Sequence, residues 1–298
     1  MLGSCFAQNI GEQLSENKFD ININPNGIIF NPISVINSLK RIINNEAYIA
    51  DELIEYNEKW MSLAHHSSFD SFEKEACLTQ INNALEISYK HIKKSKTIFI
   101  TFGSAWVYEY VNFGIVANCH KIPNKQFTKR LLSVKEILIA FDAIKTDLKG
   151  FDVVFTISPV RHVKDGLHEN NLSKSTLLLA VNNLVEQHKN YHYFPAYELV
   201  IDELRDYRFY KDDLVHPTNK AVNYVWEKFR ECYFSESTKN IITEIRQLKI
   251  AANHKPFNFE SEEHQQFIVK QLELMENLSK KYVFLDFKAE VEQISTSK

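Results

Sequence analysis

Lys96-Thr97-Ile98-Phe99-Ile100-Thr101-Phe102 is the stretch that decides the fold class. It is rich in β-branched and aromatic side chains and stops at Gly103, so it reads as a strand buried in a central parallel sheet. A second such run, Phe151-Asp152-Val153-Val154-Phe155-Thr156-Ile157-Ser158, follows a helix expected over about 134–148. A short third strand, Tyr191-His192-Tyr193-Phe194, comes after a helical pattern from Asn171 to Lys189 with apolar Leu177, Leu178, Val181 and Leu184. Buried β runs alternating with amphipathic helices imply an α/β protein, a three-layer α/β/α sandwich with a mostly parallel central sheet. Ligands of such sheets bind beyond the carboxyl ends of the strands. Gly103-Ser104-Ala105-Trp106-Val107-Tyr108 follows the first run, and Pro159-Val160-Arg161-His162 follows the second. Ser104, Arg161 and His162 are therefore candidate substrate-binding residues. The planar guanidinium of Arg161 suits an anionic or polar group, the alternative being a pair with a structural carboxylate.

Working outward, the chain starts with Gly3-Ser4-Cys5-Phe6-Ala7-Gln8-Asn9-Ile10-Gly11, where a serine precedes an amphipathic helix with Phe6, Ile10 and Leu14 on one face. A serine at a strand-to-helix turn has its hydroxyl above the sheet and helix N–H groups pointing toward it. Far along the chain stands Asp213-Leu214-Val215-His216-Pro217, a carboxylate and an imidazole three residues apart. A serine hydroxyl needs a base to become a nucleophile. His216 can be that base, with Asp213 fixing its tautomer and the neighbouring Asp212 as a rival for that role. Cys5, next on the helix, is expected to be a packing residue rather than the nucleophile.

Gly3-Ser4-Cys5-Phe6-Ala7 resembles the signature of the GSCFA family, and a serine near the start with a late Asp-x-x-His-Pro resembles the SGNH (GDSL-like) hydrolases, to which that family belongs. The resemblance extends to Asn26-Gly27-Ile28-Ile29-Phe30-Asn31-Pro32, to Gly103-Ser104-Ala105-Trp106-Val107-Tyr108 and to Ser158-Pro159-Val160-Arg161-His162. It implies an SGNH (flavodoxin-like) sheet, a catalytic set of Ser4, Asp213 and His216, and an oxyanion hole formed by the backbone N–H groups of Ser4 and Gly27 with one side-chain donor. Removing one such donor typically costs about 3 kcal/mol. Typical SGNH enzymes supply that third donor from a Gly-x-Asn-Asp at the end of the central strand, which is absent here. Ser104 or Asn118 is left for the role, and Asn118 is preferred. The implied activity is that of a serine esterase or acyl hydrolase, with an O-acylated carbohydrate as substrate and no cofactor or metal. The alternative is a non-catalytic or acyltransferase-like member that uses the same cleft to bind a ligand.

The resemblance also implies a segment before the signature that carries a first strand. Only Met1 and Leu2 precede Gly3, too few for a buried strand of about 5–6 residues. The expectation is that this strand is missing, through a misplaced start or a truncation, and that the N-terminal residues are poorly anchored.

The rest of the chain is read by pattern. Phe19–Asn24 alternates as a strand before an Asn26-Gly27 turn. Helices are expected over 33–44 and 71–94. Between them lies a loop with Trp60, His65, His66 and Asp70, where the histidines default to solvent and complete no metal site. Val116–Lys121 reads as a return strand, on which Cys119 and His120 face opposite sides. Residues 1–233 form the hydrolase-like domain and 234–298 a helical extension, with Ile241, Ile245 and Leu248 and then Phe267, Leu272, Leu274 and Leu278 at helical spacing. Those helices offer a surface for self-association. Acids and bases are interspersed at a net charge of −3, which speaks against a nucleic-acid or membrane partner. The four scattered cysteines form no C-x-x-C, so reduced thiols in a cytoplasm are expected.

Overall fold

The computed structural model describes residues 1–253 and 261–296. In chain order its first elements are β1 (Leu2–Gly3), α1 (Cys5–Glu16), α2 (Pro32–Asn44), β2 (Leu53–Tyr56), β3 (Lys59–Ser62), α3 (Lys74–Ile92), β4 (Thr97–Phe102) and β5 (Trp106–Tyr110). There follow β6 (Gly114–Val116), β7 (Phe127–Leu131), α4 (Val134–Asp142), β8 (Asp152–Ile157), α5 (Leu167–Gln187), β9 (Tyr191–Tyr193) and a short α6 (Ala196–Glu198). The last are α7 (Asn219–Tyr233), α8 (Glu236–Ala252), α9 (Glu262–Lys281) and α10 (Lys288–Thr296).

The centre is a parallel four-stranded sheet in the order β1-β4-β8-β9. β4 and β8 pair over their whole length, from Thr97 opposite Asp152 to Phe102 opposite Ile157. Because registered neighbours of parallel strands share a face, Ile98, Ile100 and Phe102 form one apolar surface with Val153, Phe155 and Ile157. Phe141 of α4 meets the rings of Phe102 and Phe155 at 6.1 and 5.3 Å. On the opposite face Thr101, Val154 and Thr156 are buried too. The two central strands are thus covered on both sides, which explains their apolar runs. β5, β6 and β7 form a separate antiparallel sheet and β2–β3 a hairpin.

Several expectations are corrected. Leu2 and Gly3 do pair, lying in parallel register with Ile100 and Thr101. They are well anchored rather than loose. Asn24 N–H donates to Met1 O, Gly3 N–H donates to Asn24 Oδ1, and Ile29 N–H donates to Gly3 O. Phe19–Asn24 is not a strand, because Lys18 and Asn24 adopt left-handed φ values of 64° and 43° that break the extended ribbon at both ends. The return strand is Gly114–Val116, so of the expected Val116–Lys121 only Val116 belongs to it, and Cys119 and His120 sit in the loop beyond, where His120 and Lys121 take left-handed φ values of 46° and 63°. The helix expected over 134–148 ends at Asp142.

The chain divides into two compact units. One comprises Met1–Glu12 with Ile21–Trp226, the other Gln13–Asp20 with Glu227–Lys298. The division thus falls within α7, not after it. In the second unit Ile245, Leu248, Ile268, Met275 and Leu278 form a core. Phe19 stacks on Phe234 at 4.9 Å, and Lys18 pairs with Glu290 at 2.7 Å. Among the described residues no helix is long and apolar enough to cross a membrane.

Gly3 has φ 137°, and a Cβ there would lie 2.1 Å from Thr101 O, inside the β1–β4 ladder. Gly3→Ala is expected to destabilise the protein by about 2 kcal/mol or more, seen as a lower urea midpoint. An unchanged midpoint would contradict this packing.

Candidate active site

Ser4 lies between β1 and α1, at the carboxyl edge of the sheet, and is only 3% exposed. It caps the helix. Ser4 Oγ accepts the Phe6 N–H at 3.2 Å, and Ser4 O accepts the Gln8 N–H at 3.2 Å. Two strand spacings of about 4.8 Å place the end of β1 about 10 Å from the end of β8. There the backbone of Arg161 takes hold of the late loop, its N–H donating to Val215 O at 3.2 Å.

That loop is tied into a tight ring. Tyr210 bridges Pro217, Lys211 N–H donates to His216 O, and Leu214 N–H donates to Lys211 O with Leu214 at φ 56°. Inside the ring Asp213 Oδ1 accepts the N–H groups of Val215 and His216 at 2.8 and 2.9 Å, and Oδ2 lies 2.7 Å from His216 Nδ1. The two backbone donors, with the imidazole, hold the Asp213 carboxyl down at about 2. Asp213, not Asp212, is therefore the partner of His216. Both side chains are half-exposed, and Nε2 of His216 has no partner among the described residues. Ser4 Oγ makes its hydrogen bond to its own helix rather than to His216.

The expected oxyanion donors are engaged within the protein. Ser4 N–H donates to Thr101 O at 3.2 Å, continuing the β1–β4 ladder, and Gly27 N–H donates to Asn24 O at 2.7 Å in its turn. Asn118 turns its Oδ1 to the His120 N–H of its own loop, leaving Nδ2 as the atom that could serve an oxyanion. Ser104 is buried. Its Oγ accepts the Trp106 N–H at 3.1 Å and lies 3.3 Å from Ser173 Oγ, so it fixes the strand end more than it offers a hydroxyl to a ligand.

The Gly27 turn is bolted down by buried polar groups. Asn26 receives a hydrogen bond from Ser38 Oγ at 2.5 Å and donates to Tyr48 Oη at 3.1 Å. Its amide also lies 3.0 Å from His65 Nε2. Burial pushes His65 down to about 3, so it is neutral, accepting from Asn26 through Nε2 and donating from Nδ1 to Ser62 Oγ at 2.8 Å. The expected exposure of His65 is thus corrected. A Cβ on Gly27, at φ 73°, would lie 2.3 Å from His66 Cβ, which is why a glycine is needed there.

Arg161 has its guanidinium 4.1 Å from the ring centroid of Tyr210, with no carboxylate in salt-bridge reach among the described residues. The alternative reading of Arg161, a pair with a structural carboxylate, is not what the described residues show, and an aromatic ring lies there instead. His162 packs on Phe30 at 5.5 Å, and its N–H donates to Asn170 Oδ1. Burial, helped by Lys174, pushes His162 down to about 4, and its buried Nε2 has no hydrogen-bond partner. Arg161, His162, Ser104 and Val215 share a cleft of about 350 Å³ with Phe30 and Trp106. Burial pushes the Cys5 thiol up, which suits packing rather than attack. No group of three His, Cys, Asp or Glu able to hold a metal occurs among the described residues.

Lys174 was not singled out from the sequence, although it lies in helical register with Leu177, Leu178 and Val181. It is 1% exposed, and its Nζ donates to Gly103 O and Ser158 O, both at 2.7 Å. These carbonyls end β4 and β8. A lysine on the apolar stripe of a helix was the signal available.

The model of the GSCFA family matches residues 1–229, and that of the GSCFA domain protein, C-terminal domain, matches residues 245–297. No curated protein and no solved structure matches the chain.

Burial lowers Lys174 to about 7. Its ordinary value of about 10.4 applies in the unfolded chain, which therefore binds more protons between pH 7 and 10. Its contribution to stability is full above the unfolded value and is lost as pH falls toward 7. Urea midpoints should rise from pH 7 to 10 more steeply for the wild type than for Lys174→Met. Equal slopes would remove Lys174 from the titration. The variant should also be less stable by about 3 kcal/mol, since two buried carbonyls lose their donor.

Proposed function

The chain belongs to the GSCFA family, and we propose that it is a serine-dependent acyl hydrolase of the SGNH type acting on an O-acylated carbohydrate. The observation that carries this reading is the Asp213–His216 pair, held at 2.7 Å by its own loop at the sheet edge where Ser4 begins α1. In this reading helices on both faces complete a three-layer sandwich of the SGNH kind. Ser4 Oγ leaves the Phe6 N–H, gives its proton to His216 Nε2 and attacks the ester carbonyl. Asp213 stabilises the imidazolium, which then protonates the departing alcohol oxygen. Water repeats the sequence on the acyl-Ser4 ester. The oxyanion draws on Asn118 Nδ2 and on the Ser4 N–H, which must then divide its proton between the oxyanion and Thr101 O, its acceptor at 3.2 Å.

A second reading has its own support. Ser4 Oγ, Ser4 N–H and Gly27 N–H all have internal partners, as fits a cleft that binds its ligand without cleaving it.

Fluorophosphonate labelling with p-nitrophenyl acetate turnover separates the two. The hydrolase reading expects labelling at Ser4 that disappears in Ser4→Ala, with turnover lost. Asp213→Asn should lower turnover by about 10²- to 10⁴-fold. A wild-type protein that neither labels nor turns over would leave the ligand-binding reading, and labelling at Cys5 would move the nucleophile.

A further inference from the structure

The cleft beside His216 carries more positive charge than the protein neutralises. Three cationic side chains line it, those of Lys129, Arg161 and Lys164, and a single carboxylate, that of Asp165. Asp165 is paired with Lys129. Arg161 rests on the Tyr210 ring, and neither it nor Lys164 has an acidic partner in salt-bridge reach among the described residues. His162 lines the same cleft, and its Nε2 is buried without a hydrogen-bond partner. Its neutrality lets it accept or donate.

Phe30, Trp106 and Tyr108 supply aromatic surface to the cleft. Phe30 packs against His162, Lys129 lies over the Trp106 and Tyr108 rings, and Trp106 Nε1 donates to Glu169 O at 3.1 Å. At about 350 Å³ the cleft lies at the small end of the range for small-molecule sites, about 300–1,000 Å³. Aromatic walls with a few convergent polar groups suit a ring, and unneutralised guanidinium and ammonium groups suit an oxyanion on it. Val215 lines this cleft and His216 is the next residue. The imidazole of His216 is near enough to act electrostatically on His162 in the cleft, so the cleft neighbours the group that the proposed mechanism uses as its base.

We propose that this cleft binds the alcohol part of the substrate as a single sugar ring bearing an anionic group, a carboxylate or a phosphate, recognised by Arg161 and Lys164 with His162 bonding a ring hydroxyl. This assignment rests on the reading of the site as one for carbohydrate esters, and binding alone tests it.

The experiment is calorimetric titration of the full-length protein with glucuronate, glucose 6-phosphate and glucose, at low and high salt. At least one of the anionic sugars should bind about tenfold or more tighter than glucose, and salt should weaken that binding. Whichever binds tighter identifies the carboxylate or the phosphate. Lys164→Gln and Arg161→Gln should each reduce the preference for the anion several-fold. Arg161 also supports the Tyr210 loop, so the exposed Lys164→Gln keeps the test clear of misfolding. Equal affinity for glucose, affinity indifferent to salt and to Lys164→Gln, or no binding of either anion up to about 10 mM would overturn the proposal. Turnover of p-nitrophenyl acetate is read separately. Anion-selective binding without turnover would sink the hydrolase and keep this cleft, while turnover without anion selectivity would do the reverse.

Discussion

A buried lysine amine between two strand ends is the constraint on which the candidate site depends. Where parallel strands stop, their last carbonyls lose the ladder, and buried carbonyls without donors are costly. Lys174 reaches from α5 to satisfy Gly103 O and Ser158 O together. Among the described residues no carboxylate is in salt-bridge reach of it, so two carbonyl dipoles and the Tyr197 ring 5.7 Å away offset only part of the desolvation of the cation. That is why its proton is loosely held. The two segments leaving these carbonyls carry Ser104 on one side and Arg161 and His162 on the other. The geometry of the cleft is therefore set from below, by a residue that does not line it.

Above this support the site is assembled from close approaches of backbone. Gly3 lets β1 lie against Thr101, Gly27 lets its turn lie against His66, and Gly103 N–H donates to Phe30 O at 2.8 Å. The His216 loop adds its own order through Asp213, whose carboxylate organises three donors at once. Such a loop needs few tertiary contacts to keep its imidazole oriented, which suits a half-exposed position on the rim.

Ser4 has two competing uses. As a helix cap its hydroxyl contributes about 1 kcal/mol; as a nucleophile it must leave that bond and turn toward His216. The cap bond is weak beside the roughly 3 kcal/mol that one oxyanion donor contributes to a transition state. The resting geometry and the proposed chemistry are thus compatible in energy. The same comparison shows why a serine before a helix is ambiguous in sequence, since capping and catalysis select the same residue at the same place.

The sequence by itself determined what depends on local pattern. The apolar runs at β4 and β8 specified buried parallel strands, because a strand covered on both faces is mostly apolar. The closeness of Asp212 and Asp213 to His216 specified that a carboxylate of this loop would meet the imidazole, because one tight loop closes the gap. The GSCFA signature at Gly3–Ala7 specified the family. The choice of Asp213 over Asp212 needed the loop's hydrogen bonds, since either carboxylate lies close enough along the chain. Tertiary structure alone decided the rest. It broke the Phe19–Asn24 alternation with two left-handed residues and buried His65 against Asn26. It engaged the N–H groups of Ser4 and Gly27, and it drew Lys174 between strands more than 15 residues away in sequence. Periodicity reports which face of an element is buried. It is silent on which polar group will meet it there, because that partner comes from another part of the chain.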